Sequence, residues 1–335
     1  MADPFTFVDG ERLIRFGAGV RAEAPALLAE RGFEGHTLLT TERAAATLPA
    51  LADAAREVLV VPPGRVDDIS AKLLTAAGDG PLVALGGGRV VDTAKAIAGV
   101  RGSACAAIPT TLSGAELTPF HRTPTGVEGA RMVRPSLVIA DSELMASQPP
   151  EQLAASAMNA LAHAMEALYT PRANPVAELS ALRGAELLAA GVRAGADGRD
   201  DVALGALLAG YASASTGIAI HHATCQTIVR SAGSPHAQTN AVMLPHFAGL
   251  MARAAPAQLG AFARALGAPE ADPSAAAGFV AELSARSGHS RLSELGVEEE
   301  RLPAIAAAVV QHPLYASTPS PPSEGELLGL LRAAL

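Results

Sequence analysis

The sequence predicts an α/β amino-terminal domain with a parallel, Rossmann-like sheet, followed by an all-helical domain. Three observations carry that prediction. Short apolar runs alternate with helical periodicity from about Phe5 to Asp141. In residues 81–99, PLVALGGGRVVDTAKAIAG, a buried strand turns into a helix through three glycines. From Gln148 onward nearly every stretch has helical composition, broken only at PRANP, GADGRDD and GAPEADPS. The boundary is therefore expected between residues 1–147 and 148–335. A chain of 335 residues exceeds one ordinary domain, which agrees.

Taken in order, residues 5–16 alternate as a β-hairpin does and end in RFGAG, where Gly17 and Gly19 permit a tight backbone. AEAPALLAERG reads as a helix closed by Gly32, HTLLTT as a buried strand, ERAAATLPALADAA as one helix and EVLVVPP as a strand. RVDDISAKLLTAAGDG follows as a helix with acidic residues in its first turn. After PLVAL and the glycines come the strands at Ala104–Ile108 and SLVIAD, the latter ending at Asp141. Strand and helix alternating at this spacing place a ligand crevice at the carboxyl ends of the strands. STPSPPS reads as a loop before a last amphipathic helix, GELLGLLRAAL.

The glycine turn is the first candidate site. Gly86, Gly87 and Gly88 carry no Cβ, so a polyanion can approach their backbone, and the free N–H groups of the following helix point toward it. Arg89 adds a charged donor there. Asp92 sits in the first helical turn, which explains it as a helix residue, and it is kept among the cofactor-site candidates. Thr110, Thr111 and Ser113 cluster hydroxyls just beyond the next strand, as a phosphate or nicotinamide contact or as an ordinary Thr/Ser turn. Three glycines in a row equally suit a plain strand-to-helix turn, and neither G-x-G-x-x-G nor a P-loop is present. The strand HTLLTT ends in Thr40 and Thr41 before Glu42, which leaves NAD and NADP both open.

Composition narrows the partners. Basic side chains are nearly all Arg, scattered through a chain of net charge −8, so nucleic acid and acidic membrane surfaces are excluded as partners. Cys105 and Cys225 lie far apart without a C-x-x-C pattern, and neither a signal-like apolar stretch nor an 18-residue apolar span is present. A reduced, cytoplasmic setting and a small-molecule substrate are expected.

Histidines supply the second constellation. Asn159 and His163 stand one helical turn apart and project from one face. His221 and His222 open another helical stretch, with Gln226 four residues beyond His222, and His236 follows Pro235. Convergence of three or four such groups would suit a borderline divalent cation. Each histidine singly is more often a hydrogen-bonded interior residue than a ligand, and their concentration in two short segments favours a site without specifying a metal.

The ordered stretches FGAG, GGGRVVDTAKAIA, PTTLSGAELTPF, MNALAHAMEALY and HHATCQTIVRSAGSPHAQTNAVMLPH resemble the iron-containing alcohol dehydrogenase superfamily, most closely its maleylacetate reductase branch. The resemblance implies the dehydroquinate synthase-like fold. Residues 1–147 would form the dinucleotide-binding α/β domain and residues 148–335 the all-helical catalytic domain, with NAD(H) or NADP(H) in the cleft and a homodimer as the assembly. By position, Gly86, Gly87, Gly88 and Arg89 would surround the pyrophosphate, and Thr110, Thr111 and Ser113 would line the cofactor site. The superfamily's metal positions fall on Asn159, His163, His222 and His236.

Departures from the pattern refine the expectation. Most of the superfamily has Asp where this chain has Asn159, and the lost anionic ligand leads us to expect a metal-free site. Gln226 stands where a His associated with proton transfer is usual, and Gln is no general acid near neutral pH. Arg89 replaces a small Ser, the segment between Phe120 and Ser136 is short, and STPSPP stands where the branch has an Asn-Pro-Arg-Pro-like stretch. The expected activity is NAD(P)H-dependent reduction of an enone or keto acid, with His163, His222 and His236 donating hydrogen bonds or positive charge to the developing oxygen. The resemblance implies maleylacetate going to 3-oxoadipate in aromatic compound catabolism. A carboxylic acid substrate would call on Arg122, Arg131, Arg134 or Arg230, with His221 and Tyr315 as further substrate contacts. Two alternatives stand beside this reading: a metal-dependent alcohol dehydrogenase, and a diverged homologue that kept the cleft for non-redox chemistry or binding.

Overall fold

The computed structural model describes residues 4–335, which separate into two compact units, one up to Ser147 and one from Gln148 to Leu335. In the first, the strands are β1 (Phe5–Asp9), β2 (Arg12–Gly17), β3 (Thr37–Thr40), β4 (Glu57–Val60), β5 (Leu82–Gly86), β6 (Cys105–Pro109) and β7 (Leu137–Asp141). Its helices are α1 (Ala24–Glu30), α2 (Glu42–Ala45), α3 (Pro49–Ala54), α4 (Val66–Leu73), α5 (Gly88–Arg101) and α6 (Ser142–Met145). The strands form one sheet in the order β1-β2-β7-β6-β5-β3-β4, in which β1 and β2 pair antiparallel and every other pair is parallel.

Every residue of β3, β5, β6 and β7 is buried, because helices cover both faces of the parallel part. Successive side chains of β5 show it: Leu82 and Ala84 join Ile69 of α4 and Val91 and Ile97 of α5, while Val83 and Leu85 join Leu28 of α1, Ala44 of α2 and Leu51 of α3. The chain leaves β3 over one face and β5 over the other. These neighbouring strands therefore flank the topological switch point, where open α/β sheets bind ligands at the strands' carboxyl ends. The glycine turn is at the end of β5.

One expected helix is two. Over residues 42–55, α2 starts where the Thr41 hydroxyl accepts from the Ala44 N–H and stops at Ala45, and α3 begins anew at Pro49. Proline lacks the N–H that a continuous helix needs and pushes the preceding residue out of helical geometry, and Leu48 lies at φ −147°, ψ 67°.

The second unit is built from α7 (Pro150–Ala167), α8 (Pro175–Ala194), α9 (Arg199–Thr216), α10 (Ile220–Ala232), α11 (His236–Ala254), α12 (Pro256–Ala265), α13 (Ala276–Ser284), α14 (Leu302–Val310) and α15 (Glu324–Ala333). The turns fall where the breakers stand. PRANP ends with Asn174 capping α8 through the Ala177 N–H and Pro175 at its first position. Helix α10 is bracketed by Gly217 at φ +79° and Gly233 at φ +71°. Helices α8 and α9 approach so closely that a Cβ on Gly184 would lie 2.9 Å from the Gly205 carbonyl oxygen. Helix α7 is the centre of this unit, with every residue from Leu153 to Ala167 buried. No single helix among the described residues is long and apolar enough to cross a membrane.

Candidate active site

The glycine turn and the hydroxyl cluster meet. The register of β5 against β6 pairs Gly86 with Pro109, so the segments beyond both strand ends run side by side. Thr110 N–H donates to the Gly86 carbonyl at 3.0 Å. A Cβ on Gly87 would lie 3.0 Å from Thr111 Cγ2, and one on Gly88 would lie 2.9 Å from Ser113 Oγ. Gly87 sits at the start of α5 with no side-chain cap, which leaves N–H groups at that end to a ligand. Arg89 is exposed, so its guanidinium does not fill the turn. Asp92 is engaged elsewhere, its Oδ1 2.8 Å from Lys95 Nζ.

Across the helical unit, α7 and α10 bring their polar residues together. Asn159, His163 and Glu166 sit on successive turns of α7, buried in an otherwise apolar helix. Glu166 is fully buried and accepts from two backbone donors at the start of α10, His221 N–H at 2.8 Å and His222 N–H at 3.4 Å, while its Oε2 lies 2.5 Å from His222 Nδ1. The His163 ring stacks on the His222 ring, 4.5 Å between centroids and 6° between planes. The His221 ring stands edge-on to His222, and its Nε2 is 3.4 Å from the Asn240 carbonyl and 3.6 Å from Cys225 Sγ. Asn240 Nδ2 donates to the His236 carbonyl at 2.8 Å and lies 3.3 Å from His236 Nε2.

Burial sets the electrostatics. It drives the His163 imidazole well below its ordinary range and pushes His221 and His222 down to about 3, with the neighbouring imidazoles adding to the effect. Burial lowers His236 as well, although the residue as a whole is exposed. Burial raises the Glu166 carboxyl, while the histidines and the backbone N–H groups oppose that rise. We take Glu166 as ionised because all three of its contacts can donate to it. The His222 proton then resides on Nδ1, and Nε2 presents a lone pair. His222 Nε2, His163 Nδ1 and Asn159 Oδ1 are buried without a hydrogen-bond partner among the described residues. Unpaired polar atoms at such density call for a ligand.

The remaining candidates are dispersed. Gln226 is half-buried one turn beyond His222 on α10. His221 is wholly enclosed, which suits packing behind His222 rather than contact with a substrate. Arg122 lies in the α/β unit, exposed and 3.9 Å from Asp67, and Arg134 lies near Asp9 and Glu11. Tyr315 donates its hydroxyl to the Pro322 carbonyl at 2.7 Å and thereby ties its own loop. Arg230, exposed near the end of α10, makes no ion pair among the described residues. Sequence reasoning missed Glu166. Its signal was an acid three residues after His163 in an apolar helix, hence on the same face.

The sequence pattern of the Fe-containing alcohol dehydrogenase family, C-terminal region, matches residues 153–335. The chain is 36% identical over 264 residues to maleylacetate reductase 1 of Rhodococcus opacus, covering 75% of this chain and 72% of that protein. It is 32% identical over 343 residues to maleylacetate reductase of Sphingobium indicum, covering 96% and 94%. The crystal structure of maleylacetate reductase from Rhizobium sp. strain MTP-10005 superposes with a TM-score of 0.84 at 30% identity, covering 100% of this chain and 99% of that one.

Proposed function

This chain belongs to the iron-containing alcohol dehydrogenase family, and on that premise we propose that it is an NAD(P)H-dependent reductase of the maleylacetate reductase type, acting on an enone or keto acid. The observation that carries the reading is the buried group of unpaired polar atoms on Asn159, His163 and His222, backed by Glu166. Asn159 Oδ1 and the His222 Nε2 lone pair are acceptors, so the group takes a ligand that brings a proton into a dry environment, or a substrate oxygen once the ring has been protonated.

The residues present fit a dinucleotide. Two of the glycines already touch Thr111 and Ser113 at the limit that a Cβ would violate, so the cradle is open only because they are glycines. Gly86 to Gly88 and the uncapped start of α5 would hold the pyrophosphate, with the exposed Arg89 placed to add a charged bond, and Thr110, Thr111 and Ser113 would line the rest. Bound there, NAD(P)H supplies a hydride from nicotinamide C4 to the electrophilic carbon of the substrate.

A resident divalent cation fits the site less well. The four positions that would hold it offer three imidazoles and an amide, all neutral. Glu166 converges with His221 and His222, their ligand atoms within 4.8 Å of one another, but it lies behind the four positions and its oxygens are committed to α10. With no anionic ligand, a dication would keep its full charge in a desolvated place. The chemistry at the substrate oxygen therefore falls to the histidines. At rest they are neutral, and His222 donates to the substrate oxygen only after Nε2 has taken up a proton. Glu166 holds the His222 ring and stabilises it whenever it carries a second proton, which lets the ring hold and release a proton at Nε2 beside the developing enolate. His236, open to solvent and oriented by Asn240, can exchange that proton with water.

The test is to strip the purified protein with chelator, titrate it with NADH and NADPH by nicotinamide fluorescence, and follow reduced-cofactor absorbance with maleylacetate and related oxo acids. Micromolar binding with turnover supports the reading. Binding of neither cofactor ends it.

A further inference from the structure

We infer that Lys95 is a positioning residue for the dinucleotide: its buried ammonium is the template on which the loop after β6 folds. This rests on the cofactor reading above. Lys95 exposes no surface, and its Nζ lies 2.8 Å from the Ala115 carbonyl, 3.0 Å from that of Thr118 and 2.7 Å from that of Phe120. Asp92 Oδ1, one turn back on α5, is 2.8 Å away. An ammonium has three protons, one for each of the three carbonyls, and Asp92 adds an ion pair rather than a hydrogen bond. From the other side Arg12, also buried, donates from Nη1 to the Leu117 carbonyl at 3.0 Å. Residues 115–120 have no helix or strand of their own. Their backbone is instead gathered around two desolvated cations.

The same loop begins on the glycine turn. Thr110 N–H is bonded to Gly86, Thr111 packs on Gly87, and Ser113 packs on Gly88. Lys95 and Gly88 belong to one helix and are seven residues apart, about 10 Å along its axis. Helix α5 thus fixes the turn at its first residue and fixes the opposing loop through Lys95. The carbonyls of 115, 118 and 120 point to the ammonium, so the N–H groups of those planar trans peptides point away from it. An apolar residue at position 95 would take the donor from the buried Ala115 carbonyl and from the partly buried carbonyls of Thr118 and Phe120, and would leave Asp92 without its ion pair. A cation that never touches the cofactor accordingly controls how tightly the cofactor is held. It also reassigns Asp92 from a possible ligand contact to the fourth side of this cage.

Wild-type protein is titrated first with NADH and NADPH, and failure to bind either sinks the cofactor reading and this inference with it. Given binding, Lys95→Met is expected to raise Kd at least about tenfold at temperatures where its circular dichroism is native. Amide hydrogen exchange over residues 110–120 should also be faster in the cofactor-free protein. A purely structural lysine would lower Tm and leave both quantities alone, and that outcome overturns the proposal. If Lys95→Met does not accumulate as folded protein, Asp92→Asn decides through exchange in the cofactor-free state. Faster exchange confined to 110–120 supports the cage, whereas unchanged exchange there overturns it, because a carboxylate that merely touched the cofactor would not affect the empty loop.

Discussion

Replacing Glu166 by Gln should invert the proton on His222 with little change in stability. The Gln oxygen can keep the two backbone N–H groups of His221 and His222, now held by Glu166 Oε1 at 2.8 and 3.4 Å. Its amide nitrogen then faces His222 Nδ1, where Glu166 Oε2 accepts at 2.5 Å. An amide donates, so Nδ1 must become the acceptor and the ring proton must move to Nε2. The isosteric change keeps every hydrogen bond, and the unfolding free energy should move by less than about 1 kcal/mol. What is lost is the charge assistance to a doubly protonated ring, worth about 1.5–3 kcal/mol, which lowers kcat by about 10- to 150-fold. Imidazole 15N spectra report the tautomer, and steady-state reduction of the oxo acid reports the rate. An Nε2–H tautomer already present in the wild type, or unchanged turnover in a variant whose tautomer has switched, would refute the reasoning.

Other outcomes follow from individual contacts. Burial raises the Glu116 carboxyl from 4.5 to about 7, so the folded state holds a proton there that the unfolded chain has already released. Stability from this group is present below pH 4.5 and lost as pH rises toward 7, by about 3 kcal/mol at about 1.4 kcal/mol per unit; Glu116→Gln should flatten that part of a urea-unfolding profile, and an unaltered slope would contradict it. Gly88→Ala places a methyl 2.9 Å from Ser113 Oγ, so NAD(P)H affinity should fall about tenfold and recover in part when Ser113→Gly is added, as measured by fluorescence titration and a double-mutant cycle. Chelator should leave wild-type turnover within about twofold, whereas Asn159→Asp restores an anionic donor and should retain zinc or iron on dialysis; metal analysis of both proteins decides, and a wild type that needs added metal contradicts the neutral-donor argument.

The sequence made the scaffold legible where local chemistry was decisive. Leu82 to Leu85 could only be a strand buried on both faces, and the glycines after it could only be a turn. Pro49 also announced its helix break, which composition alone had smoothed over. The meeting of Thr111 and Ser113 with Gly87 and Gly88 needed the parallel register of β5 and β6, a tertiary fact only half implied by their position in the chain. Glu166 was least legible. Its partners are the first backbone amides of α10, some 55 residues away, and no periodicity within α7 discloses what approaches it. Arg122 and Tyr315 show the opposite gap: long polar side chains look available in a sequence, while in the fold Arg122 lies 3.9 Å from Asp67 and the Tyr315 hydroxyl donates to the Pro322 carbonyl.

The stacked pair His163–His222 limits how the centre responds to acid. With parallel rings 4.5 Å apart, two imidazolium charges would repel by about 4 kcal/mol at an effective dielectric of about 20. The second protonation is thereby displaced by nearly three pH units from the first. The stacked pair thus carries one positive charge before it can carry two. Imidazole 15N signals of the two rings should therefore change in two steps well separated in pH, rather than in the single shared step that independent rings would give.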